Sequence, residues 1–261
     1  MNEPWIATAA TEASDRLVDG LSRNESRAMV ILPGLTSTRG DRIFAFVADL
    51  RSSPVRAIAL FPTVLGRTER SELYNELASV PGLRIPHVHL RSDCDEEEMQ
   101  FLVTTFATER FNIHPAADVH AFGPVPPGFR DLVFVENVQE APDDAELEVL
   151  GGICPDYAHL ESARRLGRHE YVATVERQFR EYHVGCCHVS AVRAGDPNPW
   201  NGGEDHHHFT SLADFDYMEA YADVLPQRWI SLELENPLGE QMEAAKYLEH
   251  TLERAGVLTK T

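Results

Sequence analysis

Short apolar runs rich in β-branched residues recur along the chain, and most are followed by a stretch whose apolar positions return every three or four residues. Continuous apolarity over five to eight positions marks a strand buried on both faces, whereas the longer spacing marks a helix with one apolar stripe. Eight runs fit the strand pattern: AMVILPG (28–34), VRAIALFP (55–62), RIPHVHLR (84–91), RFNIHP (110–115), DLVFVEN (131–137), GGICPDYAH (151–159), VGCCHVSAV (184–192) and WISLELEN (229–236). The helical pattern predicts helices over RIFAFVADLRSS, ERSELYNELASV, DEEEMQFLVTTFA, VATVERQFREYH, YMEAYADVL and EQMEAAKYLEHTLERAG.

Strands alternating with helices predict an α/β fold, and eight such units predict a single (β/α)8 TIM barrel over residues 28–261. The fourth unit is irregular, because AADVHAFGPVPPGFR is too rich in Pro and Gly for a long helix. Residues 1–27 form an N-terminal extension, in which RLVDGLS is expected to make a short helix across the barrel bottom. The 261 residues suit one such barrel of about 250 residues.

Composition narrows the function more than the fold. A net charge of −19 opposes binding to a phosphate backbone, so nucleic acid is a disfavoured partner. No window approaches the ~18 apolar residues of a membrane span, and the start has neither a basic nor an apolar leader region, so a cytoplasmic protein is expected. The four cysteines, Cys94, Cys154, Cys186 and Cys187, have no framework or C-x-x-C spacing and read as small buried apolar residues. The acidic run Asp93–Glu98 reads as a helix N-terminus favoured by the dipole, not as a calcium loop.

Candidate chemistry gathers where the strand runs end, the rim on which barrel enzymes carry their sites. His87 and His89 close the third run, His114 the fourth, Glu136 the fifth, Asp156 and His159 the sixth, His188 the seventh, and Glu233 with Glu235 the eighth. A carboxylate inside an apolar strand needs a partner, and a metal ion would satisfy Glu136 and Glu233 together. Glu233 is favoured over Glu235 as the inward group, His89 competes with His87, and a structural ion network is the competing reading for the set.

The segments PHVHL, NIHP, VEN, CPDYAH, CHVS, DHHHF and LELEN, in this order, resemble the xylose isomerase-like TIM-barrel superfamily, particularly its endonuclease IV branch. The resemblance implies nine ligands for a cluster of three zinc ions: His87, His114, Glu136, Asp156, His159, His188, Asp205, His207 and Glu233. The sugar isomerase and epimerase branch shares the smaller core of Glu136, Asp156, His188 and Glu233, with His159 and an arginine, here Arg193, contacting substrate. Two departures stand against the endonuclease activity: Ala116 replaces the glycine expected after NIHP, and no basic or aromatic loop suited to a duplex is evident.

The expected function is therefore a metal-dependent sugar or sugar-phosphate isomerase or epimerase, holding one to three divalent ions (zinc or manganese) and acting on a small sugar-like substrate. Glu136 and Glu233 would move protons, while His159, Arg193 and His89 would orient the substrate. The alternatives are a multinuclear phosphoesterase, which would explain the additional histidines, and a non-catalytic metal-binding barrel. Oligomeric state is left open, a homo-oligomer included.

Overall fold

In the computed structural model, residues 29–37 and 41–257 are described. The expected N-terminal extension, its RLVDGLS helix and the domain boundary at residue 28 lie outside the described residues. The first strand run is divided by Pro33, which has no N–H to give to a ladder, into β1 (Val30–Leu32) and β2 (Gly34–Thr36). There follow α1 (Asp41–Ser52), β3 (Ala57–Phe61), α2 (Arg67–Ala78), β4 (Arg84–His89), α3 (Glu96–Phe106), β5 (Arg110–Ile113), β6 (Val133–Glu136), α4 (Asp144–Val149), β7 (Ile153–Cys154), α5 (Tyr157–Arg165) and α6 (His169–Glu181). The chain continues through β8 (Cys187–Val189), β9 (Ala191–Val192), β10 (Asp205–His206), a 3-10 stretch (Leu212–Val224), β11 (Trp229–Leu232) and α7 (Leu238–Arg254).

Strands β2 to β7 form a six-stranded parallel sheet in sequence order, and β1, β11 and β8 form a three-stranded parallel sheet. The two sheets meet twice. They share the Pro33 segment, whose carbonyl accepts from Ala59 N at 2.9 Å, and parallel bridges pair Ile153 with Val184 and Asp156 with His188. β9 and β10 form a separate antiparallel ribbon.

Successive residues of each strand fall into different layers, as a period of two requires. Ile58, Leu60, Val133, Val135, Cys187 and Val189 pack in the large core with the helices. Their neighbours Ala59, Phe61, Phe134, Cys154 and Cys186 pack in a second, smaller core. This second face also carries the buried polar side chains His87, His89, Asn112, Glu136, His188 and Ser231. A strand run that looks uniformly apolar thus has two buried faces, of which one ends in chemistry.

Between β5 and β6 there is no α-helix, only turns and a 3-10 segment at Pro127–Leu132, in keeping with the proline-rich sequence. YMEAYADVL, predicted as an α-helix, lies within the 3-10 stretch instead except for its last residue, Leu225. Phe215, Met218 and Tyr221, three apart, are buried there with Tyr217 and Ala222, and a spacing of three shares a face at three residues per turn. Two helices escaped the periodicity. α4 is one and a half turns held by the Asp143 capping box, and α5 begins within the CPDYAH run, where Asp156 is its N-cap. Among the described residues no helix is long and apolar enough to cross a membrane.

Candidate metal centre

The central group comes from four strand ends. Glu136 is the last residue of β6, His188 lies in β8, Asp156 follows β7 and Glu233 follows β11. Their ligand-capable atoms all lie within 4.8 Å of one another, and all four side chains are buried. His188 Nδ1 is the hub: it stands 3.2 Å from Glu233 Oε2, 3.4 Å from Glu136 Oε1 and 3.8 Å from Asp156 Oδ2. Of the two glutamates after β11, Glu233 enters the group, and Glu235 stands 3.8 Å from Arg42.

A second group shares Glu136. His89, His114 and Glu136 also offer atoms within 4.8 Å of one another, with His89 Nε2 3.7 Å from Glu136 Oε2 and the two imidazole centroids 4.9 Å apart. Of the two histidines of β4, His89 joins this group, whereas His87 belongs to a different one with Cys154 and His188. Both point to the inner face, being two apart on β4, but His89 is one layer nearer the strand ends. His87 lies deeper, with Nδ1 2.7 Å from Ser231 Oγ.

His159, Asp205 and His207 lie at the edge of the central group. His159 Nδ1 is 3.2 Å from Asp205 Oδ2, and its Nε2 is 3.8 Å from Asp156 Oδ2. His207 Nε2 is 3.8 Å from Glu233 Oε1. The D-x-x-H spacing has a local cause: Asp156 Oδ1 accepts from His159 N at 2.8 Å, the N-cap bond that starts α5. Capping uses one carboxylate oxygen and leaves Oδ2 facing the cluster. Arg193 does not join, because its Nη2 is 2.5 Å from His206 Nδ1 and 3.2 Å from Asp196 Oδ2, within the β9–β10 ribbon.

Sequence reasoning missed the side chains that hold these groups in place. Asn112 Nδ2 donates to Glu136 Oε2 at 2.6 Å. Asn137 brackets Asp156 through its backbone, accepting from Asp156 N at 2.9 Å and donating to Asp156 O at 3.0 Å. Asn201 Nδ2 donates to Asp205 Oδ2 at 2.8 Å. Asn112 was findable: it is a polar residue in an apolar strand, two positions before His114, on the face that the histidine continues.

The electrostatics are those of buried carboxylates and imidazoles that shift one another: Glu136 and Glu233 raise the His188 imidazole well above its usual range although burial opposes its charge. Burial alone would raise the Glu136 carboxyl, yet the His188 and His89 imidazoles hold it well below the carboxylate range. For Glu233 burial is likewise outweighed, by His207 and His188, and its carboxyl falls to about 2. Asp156 goes the other way: burial, with Glu136 and Glu233 repelling its charge, lifts it to about 6 despite His159 and His188. Burial lowers His89 to about 3. Burial also opposes charge on His159, but Asp156 and Asp205 raise it to about 10. His89 Nδ1, Asp156 Oδ2 and both ring nitrogens of His188 are buried without hydrogen-bond partners among the described residues. Buried imidazole nitrogens beside carboxylates are donors that a divalent ion could take, and the residues present fit such an ion.

No family model matches the chain, and no curated protein matches it. Among solved structures it is similar to apo 3-keto-D-glucoside 4-epimerase, YcjR, from E. coli, at 12% identity and a TM-score of 0.37, over 86% of this chain and 99% of that one.

Proposed function

We propose that the chain forms one eight-stranded parallel barrel and acts as a divalent-metal-dependent sugar or sugar-phosphate isomerase or epimerase. Three features support the barrel. Pro33 joins one edge of the two sheets, the bridges Ile153–Val184 and Asp156–His188 join the other, and a Cβ on Gly34 would stand 1.9 Å from the Leu232 carbonyl oxygen, a packing that only glycine permits.

The observation that carries the function is the buried convergence of Glu136, Asp156, His188 and Glu233. Desolvated carboxylates at this density are unfavourable by several kcal/mol each unless a cation neutralises them. Imidazole and carboxylate donors suit zinc or manganese. A bound ion would supply Lewis acidity, polarising a carbonyl and its neighbouring hydroxyl. Glu136 and Glu233 flank His188 and are both ionised at neutral pH, so each can take or return a proton on a substrate carbon. Asn112 pins Glu136 by donating to its Oε2. His159, on the first turn of α5, is placed to orient a hydroxyl. The engaged guanidinium of Arg193 leaves it outside this set, and His89 moves from substrate contact to metal holding.

A second reading, phosphoester hydrolysis, is favoured by the His89–His114–Glu136 group. Two adjacent donor sets sharing one carboxylate are what a two-ion site requires, and His159, Asp205 and His207 would border a third. Elemental analysis of protein purified without chelator or histidine tag separates the readings. One ion per chain at the rim supports the isomerase or epimerase, and two or three support the hydrolase. None after addition of Mn²⁺ or Zn²⁺ sinks both.

A further inference from the structure

Below the rim, on the same inner face, lies a second set of donors that the proposed reaction does not use. Strand alternation turns Cys186 and His188 inward and Cys187 outward, so Cys187 packs in the helix-facing core while Cys186 joins Cys154, Phe61 and Phe134. His87 enters this layer from β4. One ring nitrogen each of His87 and His188 and the Cys154 Sγ lie within 4.8 Å of one another, all fully buried. The His87 and His188 ring centroids are 5.4 Å apart. His87 Nδ1 is occupied by Ser231, which leaves Nε2, and that nitrogen has no hydrogen-bond partner among the described residues. His188 directs Nδ1 to the carboxylates, and its Nε2 is equally unpartnered. The Cys186 thiol lies against both Cys154 and His87.

Two unpaired imidazole nitrogens in an apolar layer call for an explanation, since a buried polar atom without a partner is unfavourable by about 1–3 kcal/mol. Apolar residues of the same shape would avoid it. We infer that His87, Cys154 and His188, with Cys186 adjoining, form a second metal site of soft character, distinct from the carboxylate rim and suited to Zn(II) or Cu(I). The donors are imidazole and thiolate, which select these ions, whereas the carboxylates above select harder ones. Phe61 closes it, its ring standing edge-on to His188 at 4.9 Å and to His87 at 6.2 Å between centroids. With no open position for substrate the ion is structural, and it fixes the orientation of His188 beneath the rim. Binding would displace the Cys154 thiol proton to solvent. With the rim also loaded, His188 would offer one nitrogen to each ion and give up its second ring proton to solvent.

Cobalt(II), added alone to chelator-treated full-length protein, is the probe. The expected result is a near-ultraviolet thiolate-to-cobalt charge-transfer band that persists in Cys94→Ala and Glu233→Gln. The band disappears in Cys154→Ala, which binds one ion fewer per chain than wild type. An unchanged band and stoichiometry in a Cys154→Ala protein with native near-ultraviolet circular dichroism overturns the inference. X-ray absorption at the zinc edge of the wild-type protein gives a reading that needs no variant: a sulfur neighbour at about 2.3 Å supports the site, and its absence overturns it. Because Glu233→Gln empties only the rim, failure of the inner site and failure of the proposed function are read separately, and rim stoichiometry is best counted in Cys154→Ala.

Discussion

At the residue scale the site turns on single-atom placements. Asn112→Ala removes the bond that pins Glu136 and is expected to weaken rim metal affinity by about 10–100-fold, read by competition with a chromophoric chelator; unchanged affinity would mean Glu136 is held otherwise. Glu233→Gln keeps the shape but not the charge, and is expected to exceed that loss and abolish metal-dependent turnover. Full metal loading in Glu233→Gln would remove Glu233 from the centre. The His159–Asp205 pair gives a pH test in metal-free protein. The folded value for His159 is raised to about 10, so its contribution is complete below the unfolded value of about 6.5 and is lost as pH rises through about 10. Burial opposes ionisation of Asp205, but His159 lowers its carboxyl overall, so its contribution is present above about 3.9 and fades in acid. The pair thus stabilises fully between about pH 4 and 6.5. Thermal melts of the metal-free protein should decline on the alkaline side, and His159→Gln should flatten that limb; an alkaline limb of the same slope in His159→Gln would assign it elsewhere, with His188 the next candidate.

At the element scale, α2 and α3 are joined by a buried ion pair that has nothing to do with the site. Arg70 donates to Glu98 through Nε at 2.7 Å and Nη2 at 2.8 Å, both side chains being fully buried, and Tyr74 Oη donates to the same carboxylate at 2.8 Å. Arg70→Met leaves Glu98 buried without its cation and is expected to lose about 3–5 kcal/mol in urea unfolding, whereas the double variant with Glu98→Leu should recover most of it. A loss below 1 kcal/mol for the single variant would mean the pair is solvated in solution. The acidic run 93–98 was legible as a helix start, and Asp95 does cap α3 by accepting from Glu98 N at 3.0 Å. That Glu98 turns inward to Arg70 was not legible, because the periodicity of one helix says nothing of which residue the next helix presents.

At the scale of the whole molecule, the proposed metal centre is tested by ligand linkage. An ion held by side chains from β4, β6, β8 and the segments after β5, β7 and β11 would bind the folded chain and not the unfolded one. Loading at 100 times Kd should therefore raise stability by about 2.7 kcal/mol. Chelator treatment should reverse the rise in melting temperature. A melting temperature indifferent to Mn²⁺, Zn²⁺ and chelator would argue that the buried charges form a structural network.

Much was determined by the sequence alone. Alternating strand and helix periods, the proline-rich fourth unit and the placing of Glu136, Asp156, His188 and Glu233 at strand ends follow from local rules, because burial of a strand on two faces or of a helix on one stripe is written in the spacing of apolar residues. The tertiary structure decided what spacing cannot express. His87 and His89 share a face, so only their depth along β4 assigned them to different groups. Arg193 lies near His188 in sequence, yet the β9–β10 ribbon carries it to Asp196 and His206. The bond of Asn112 to Glu136 and the approach of Cys154 to His87 join residues on different strands, and such contacts depend on register between strands, which no single segment contains.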